Sequence, residues 1–190
     1  MISNMHVAIT TRPYQPADED GWLRCRVLSF LQTAYFDDVK TEKTALERPA
    51  VELVAAIGDR VVGVIDVEID EAAATIDTIA VHPDHGRIGV ASTLLREVIR
   101  LLPASVRTLD AWTRDDVTAN AWYQREGFAE TFRYLHVYAS SDAEIASAAR
   151  ELSPNLVAVK AFFHAPIAAE AEMRATYKRV HVCRHYERVL

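Results

Sequence analysis

A β-branched run, Thr75-Ile76-Asp77-Thr78-Ile79-Ala80-Val81, is followed at once by Pro83, Gly86 and Gly89 and then by apolar residues at helical spacing. Pro83 ends the strand, and the two glycines permit a tight turn with close backbone approach to a ligand. Val90, Leu94, Val98, Leu101 and Leu102 form the buried stripe of the helix that follows, which Pro103 stops. Strand, turn and helix N-terminus therefore come in immediate succession. The first N–H groups of such a helix have no intrahelical partner and lie at the positive end of its dipole, which suits phosphate. Two phosphate motifs are excluded. No Lys-Ser or Lys-Thr follows the glycines, as a Walker A loop requires, and the third small residue and later acidic residue of a dinucleotide fingerprint are out of place.

The stretch Val81-His82-Pro83-Asp84-His85-Gly86-Arg87-Ile88-Gly89-Val90-Ala91-Ser92 resembles motif A of the GCN5-related N-acetyltransferases, the GNAT superfamily. That motif is Gln/Arg-x-x-Gly-x-Gly/Ala after a strand. Gly89 and Ala91 match its last two fixed positions. Gly86 stands at the first, where the family carries Gln or Arg, and Arg87 lies one residue late. Some thirty residues on, Asn120-Ala121-Trp122-Tyr123-Gln124-Arg125-Glu126-Gly127-Phe128 resembles the end of motif B, an aromatic-Tyr pair followed by Gly-Phe. Asp115 or Asp116 is placed to cap a helix over Val117 to Arg125, and Gly127 suits the position past its end. Asn120 and Tyr123, three apart, share a helix face. The resemblance covers about residues 6 to 139.

The resemblance implies an α+β GNAT fold, with a mixed, mostly antiparallel central sheet of six to seven strands flanked by helices on both faces. It implies acetyl-CoA as co-substrate. The pantetheine arm would lie along Ile79, Ala80 and Val81. Gly86, Arg87, Ile88, Gly89, Val90, Ala91 and Ser92 would cradle the pyrophosphate, and Asn120 and Tyr123 would complete the cofactor set. Tyr123 matches the family's general acid. The expected activity is acetyl transfer to a primary amine on a small molecule or a protein. The alternative is a non-catalytic CoA-binding sensor or assembly module with a degenerate site, which Gly86 favours and Tyr123 opposes.

Acetyl transfer also needs a base, because an alkylammonium with a pKa of about 10 arrives protonated. Asp66, Glu68 and Asp70 share one face of a strand under strict alternation, and Asp77 lies on the neighbouring strand with Ile79 and Val81. Glu68 and Asp77 are the preferred pair; the competing reading makes these carboxylates a solvated sheet face. No cysteine is near either motif, which favours direct transfer over an acetyl-enzyme.

The rest of the chain agrees with one domain spanning residues 1–190 with a sizeable core. Strands are expected at His6 to Arg12, Val51 to Ile57, Val61 to Ile69, Arg107 to Ala111, Arg133 to Tyr138 and Arg179 to Val189, with a helix from Ala17 to about Ala34. Residues 140–178 read as an insertion between the last two strands, with a helix over Asp142 to Leu152, a strand over Leu156 to Phe163 and a helix over Pro166 to Tyr177. Dimerisation, common in the family, would use the apolar run Leu156 to Phe163. A formal charge of −6 with no basic stripe argues against nucleic acid. Short apolar runs argue against a membrane span, and the N-terminus has no signal-peptide pattern, so the cytoplasm is expected. Cys25 and Cys183 do not make a disulfide framework. His181, Cys183 and His185 alternate on one strand, with His136 or His164 as further ligand types, but no metal-binding spacing supports them, and no metal is expected.

Overall fold

The computed structural model describes residues 8–148 and 156–190. They fall into two compact units. The first holds the described residues up to Ala111 together with Arg125–Phe128 and Glu187–Leu190; the second holds those of Trp112–Gln124 and Ala129–Tyr186.

In the first unit β1 (Thr10–Pro13) leads through a 3-10 turn to α1 (Glu19–Phe30), then to β2 (Ala50–Ile57), β3 (Arg60–Asp70) and β4 (Ala73–Val81). A second 3-10 turn, Pro83–His85, precedes α2 (Val90–Leu101), and β5 (Thr108–Thr113) follows. The pairs β1–β2, β2–β3 and β3–β4 are antiparallel, and β4–β5 is parallel. The hairpin between β2 and β3 turns at Gly58-Asp59, as the dipeptide dictates.

Alternation along β3 separates the two helices. Val64 packs with Trp22 and Cys25 of α1, and with Val54 and Ala80, in one buried cluster. The adjacent Gly63 faces α2, whose Val90 and Leu94 lie over it. Neighbouring strand residues point to opposite faces, so α1 and α2 cover opposite sides of this sheet. Each fully buried Val or Leu here stabilises the fold by about 1.5–3 kcal/mol.

The second unit contains α3 (Val117–Arg125) except its last residue, β6 (Ala129–Ala139), α4 (Asp142–Ala148), β7 (Ala161–Pro166), α5 (Glu170–Thr176) and β8 (Arg179–Val189) as far as Tyr186. Leu135, Val137, Val180 and Val182 form its buried core, with Phe163, Ile167, Met173 and Tyr177 packed against it. Glu144 ties α4 down by accepting N–H bonds from Ser140, Ser141 and Lys178 at 3.0, 3.0 and 2.8 Å.

The strand order is β1-β2-β3-β4-β5-β8-β6-β7. This is the expected mixed, mainly antiparallel sheet, but with eight strands in place of six to seven. The additional one is β7, which the inserted segment supplies and which pairs antiparallel with β6 from Tyr134↔Pro166 to Ala139↔Ala161. It starts later than the apolar run Leu156 to Phe163 implies, because pairing against the aromatic residues of β6, and not apolar side chains alone, decides where the strand begins. Residues 6–7 of the expected first strand and 149–152 of the expected helix lie outside the described residues.

Candidate functional site

The turn between β4 and α2 is built by local backbone. The His82 side chain accepts from the Asp84 N–H, the His85 N–H donates to the His82 carbonyl, and the Gly86 N–H donates to that of Pro83. Arg87 and Gly89 then take left-handed conformations, with φ of 65° and 87°. Gly89 suits such a φ, whereas Arg87 bears a strain of about 1–2 kcal/mol. The first bond of α2 runs from the Thr93 N–H to the Gly89 carbonyl. The N–H groups of Val90, Ala91 and Ser92 therefore precede the helical ladder and point out of its N-terminus. Gly86, Arg87, Ile88 and Gly89 are exposed around them. The Ser92 hydroxyl donates to the Glu126 carboxylate, so that side chain is engaged within the protein.

Ile79, Ala80 and Val81 pair with Ile65, Val64 and Gly63 of β3. On the other side, pairing of β4 with β5 runs only from Ala73↔Thr108 to Ile76↔Ala111, so Ile79–Val81 lie beyond its last pair. The register against β3 shifts at Asp77: Asp66 faces Thr78, and Val67 faces Ile76, leaving Asp77 as an extra residue. Such a bulge re-aims the side chains around it. Asp77 is exposed, and its carboxylate accepts from the Thr78 hydroxyl at 2.9 Å.

Glu68 and Asp77, on neighbouring strands, line one cleft of about 350 Å³ with Thr44, Ala45, Leu46, Glu47 and Arg48. Glu68 also accepts the backbone N–H groups of Glu47 and Arg48 at 3.1 and 3.3 Å, and so holds the cleft wall. Asp70 is exposed and paired with Arg48. Asp66 differs from all of these. It is fully buried, accepts from Trp22 Nε1 at 3.0 Å, and lies 3.2 Å from the Lys43 ammonium. Burial pushes its pKa up to about 6 against the opposing pull of Lys43. Neither Trp22 nor Lys43 carries a sequence signal for this contact, since both lie far from the motifs.

One residue far from the motifs in sequence does reach β4. Cys25 Sγ lies 3.9 Å from the Ala80 carbonyl. Burial pushes this thiol up to about 12, so it is no nucleophile at neutral pH.

In the second unit, Tyr123 is buried and stacks on Tyr186, with ring centroids 5.3 Å apart and an interplanar angle of 11°. Asn120 spends its side chain locally. Its amide donates to the carbonyls of Arg114 and Asp116 at 2.8 and 2.6 Å, and its oxygen accepts from the Tyr186 hydroxyl at 2.8 Å. Of the two expected caps it is Asp116 that binds the helix, accepting from the Ala119 N–H at 2.7 Å. Tyr186 was invisible in sequence because its partner lies 66 positions away.

The histidines are drawn into separate contacts. His181 Nδ1 bonds Asp115 at 2.8 Å, and His185 Nδ1 bonds the Thr131 hydroxyl at 2.6 Å. His136 and His164 stack with centroids 5.1 Å apart. Among the described residues no group of three or more His, Cys, Asp or Glu is placed to hold a metal ion. Nor is any helix among them long and apolar enough to cross a membrane.

Residues 49–130 match the family model described as an acetyltransferase (GNAT) domain. No curated protein sequence matches the chain. Among solved structures, the ribosomal-protein-S18-alanine N-acetyltransferase of Escherichia coli is similar at 16% identity and a TM-score of 0.62, over 96% of this chain and 94% of that one. The PaiA N-acetyltransferase of Thermoplasma acidophilum, solved in complex with coenzyme A, matches at 12% identity and 0.56, over 65% and 91%. A GNAT family acetyltransferase of Elizabethkingia anophelis with acetyl-CoA bound matches at 16% and 0.50, over 96% and 98%. At these identities the likeness establishes the fold.

Proposed function

We propose that this chain, whose residues 49–130 match the acetyltransferase (GNAT) domain model, is an acetyl-CoA-dependent N-acetyltransferase passing acetyl directly to a primary amine. The observation that carries the reading is the turn after β4. Left-handed Arg87 and Gly89 lead into a helix whose first N–H groups point outward, beyond a strand segment that continues past its parallel partner. Those donors suit a pyrophosphate. The arm of acetyl-CoA would pair along Ile79–Val81, and backbone N–H groups there would hold the thioester oxygen. The coenzyme A and acetyl-CoA named for two of the structural neighbours support this co-substrate.

In the reaction, a base takes one proton from the acceptor ammonium and the amine attacks the thioester carbonyl. The oxyanion is stabilised by preorganised N–H donors. As the C–S bond breaks the nitrogen gives up its second proton to leave a neutral amide, and the leaving thiolate takes one up as a thiol. The net proton released is the one the base removed first. We assign the thiolate's proton donor to Tyr123 by its match to motif B. Glu68 and Asp77, which share the cleft, are assigned the acceptor's proton, directly or through water. The acceptor is a primary amine of a small molecule or a protein. The name of the E. coli structure gives a protein alanine as that enzyme's acceptor, and at 16% identity it is not carried over. Gly86, standing where the family has Gln or Arg, favours the second reading of a CoA-binding module without turnover.

Calorimetric titration of acetyl-CoA into the wild type and Gly89→Glu tests the reading. Binding to the wild type that the added bulk and negative charge abolish is expected, followed by free-thiol release with a panel of amines. Binding without thiol release from any amine leaves the sensor reading, and no binding rejects both.

A further inference from the structure

The Lys43 ammonium sits in a box made by its own chain. It is ion-paired with Glu52, lies 3.2 Å from Asp66 Oδ2, and touches the Thr44 carbonyl. The ring centroids of Tyr14 and Trp22 stand 4.8 and 5.5 Å away. The Lys43 side chain is only 6% exposed. Aromatic faces and carboxylates together make a site for a desolvated cation. Two carboxylates against one ammonium leave the box with an excess negative charge. Asp66 Oδ1, fully buried, has no hydrogen-bond partner among the described residues, so one acceptor of that carboxylate remains unspent. Glu52 is partly exposed, which opens the box to solvent on its side.

Its place in the fold matters as much as its chemistry. Asp66 faces Thr78 across the β3–β4 pair, one residue from the Ile79–Val81 segment to which the pantetheine arm is assigned. Lys43 is carried on the irregular segment between α1 and β2, pinned by its own N–H to Glu19 at 2.8 Å. We propose that this box is the pocket for the acceptor's primary alkylammonium group, and that Lys43 is a built-in occupant which the acceptor must displace. The proposal rests on the acetyltransferase reading above. It names the substrate class as a primary amine on a slim alkyl stem, like the lysine chain that fills the box. A tethered occupant competes at high effective concentration, so the free amine binds the wild type weakly.

Lys43→Ala removes three methylenes and an ammonium, which is the outline of n-propylammonium. In that variant n-propylammonium should raise the melting temperature in a concentration-dependent way, as any ligand of the folded state does. It should not do so in the wild type or in Lys43→Ala combined with Asp66→Asn, and n-propanol should fail throughout. If Lys43→Ala does not fold unaided, n-propylammonium in the refolding buffer must restore it. With acetyl-CoA present, the KM for n-propylamine should be at least tenfold lower in Lys43→Ala than in the wild type. No stabilisation or refolding by n-propylammonium overturns the box as a free ammonium site. Stabilisation without a lower KM, in an enzyme that does transfer acetyl, makes Lys43 a structural strut and overturns the acceptor role. If no variant and no wild type releases thiol with any amine, the acetyltransferase reading itself has failed. The acceptor role then falls with it, while the melting data still decide whether the box takes a cation.

Discussion

A methyl group built on Gly63 would stand 2.4 Å from Val90 Cγ1, and 3.1 Å from Leu94 Cδ1. The first turn of α2 thus rests on the bare backbone of β3. Val90 is also the first residue after the left-handed Gly89, so the same contact sets where the helix's leading N–H groups stand. Gly63→Ala should cost about 1–3 kcal/mol through overpacking. It should also weaken acetyl-CoA binding, because residue 63 lies under the first turn of α2 and pairs with Val81. A urea midpoint and a calorimetric Kd on the same sample check both. Lost stability with unchanged affinity would separate the packing from the turn.

Tyr123 and Tyr186 stack on each other, yet different roles are expected of them. Tyr123→Phe should keep the fold and the acetyl-CoA KM within about twofold while kcat falls roughly 100-fold, the lower end of what a positioned general acid contributes. Tyr186→Phe instead leaves Asn120 Oδ1 without its donor. Its expected mark is a loss of about 1–3 kcal/mol of stability. Full turnover in Tyr123→Phe would remove it from the proton path.

Much of this was legible in the chain because the signals are local. Val90, Leu94 and Val98 at helical spacing mark α2, and the two apolar runs Val51 to Ile57 and Val61 to Ile69 mark β2 and β3. Long-range relations left no such trace. The bulge at Asp77 depends on how β4 registers with β3, which alternation within either strand does not reveal. Lys43 reads as one more charge in a polar stretch, yet the fold carries it to Asp66, 23 positions later in the chain. The same holds for Ser92, a phosphate donor by its place in the turn, whose hydroxyl is claimed by Glu126, 34 positions away. The inserted strand is legible in the apolar run Leu156 to Phe163, but the count of six to seven strands follows the family pattern, which does not contain it.

Glu144 predicts an acid limb of stability. Backbone N–H groups of Lys178, Ser140 and Ser141 hold its pKa down to about 2, against a usual value of 4.5. A carboxyl with a depressed folded pKa stabilises fully above its unfolded value and loses that contribution as pH falls through the folded one. The stability gap between wild type and Glu144→Ala should therefore be constant above pH ~5 and shrink progressively as pH falls from there towards ~2. Urea unfolding of both at pH 7, 5 and 3 checks this. A gap that does not change with pH would mean the side chain acts through packing and not through charge.

His136 should act in the opposite chemical sense over a neighbouring range. Arg114 Nε donates to its Nδ1 at 3.2 Å, so the neutral ring carries its proton on Nε2, 2.9 Å from the Tyr134 hydroxyl. His164 stacks on one face and Phe162 meets it edge-on. Burial first, then the charge of Arg114, with smaller contributions from His164 and His181, push its pKa down to about 4, and Asp115 opposes them. The unfolded chain takes up a proton near the usual 6.5 that the folded chain refuses until about 4. Stability from this site is thus whole above the upper value, falls as pH drops through the interval, and stays flat below it. His136→Gln keeps an acceptor for Arg114 and removes the titration, so its stability should not decline over that interval for this reason. Proton NMR of the ring should place the wild-type midpoint near 4. A midpoint near 6.5 would mean that the ring is hydrated and that Arg114 does not hold it in the neutral form.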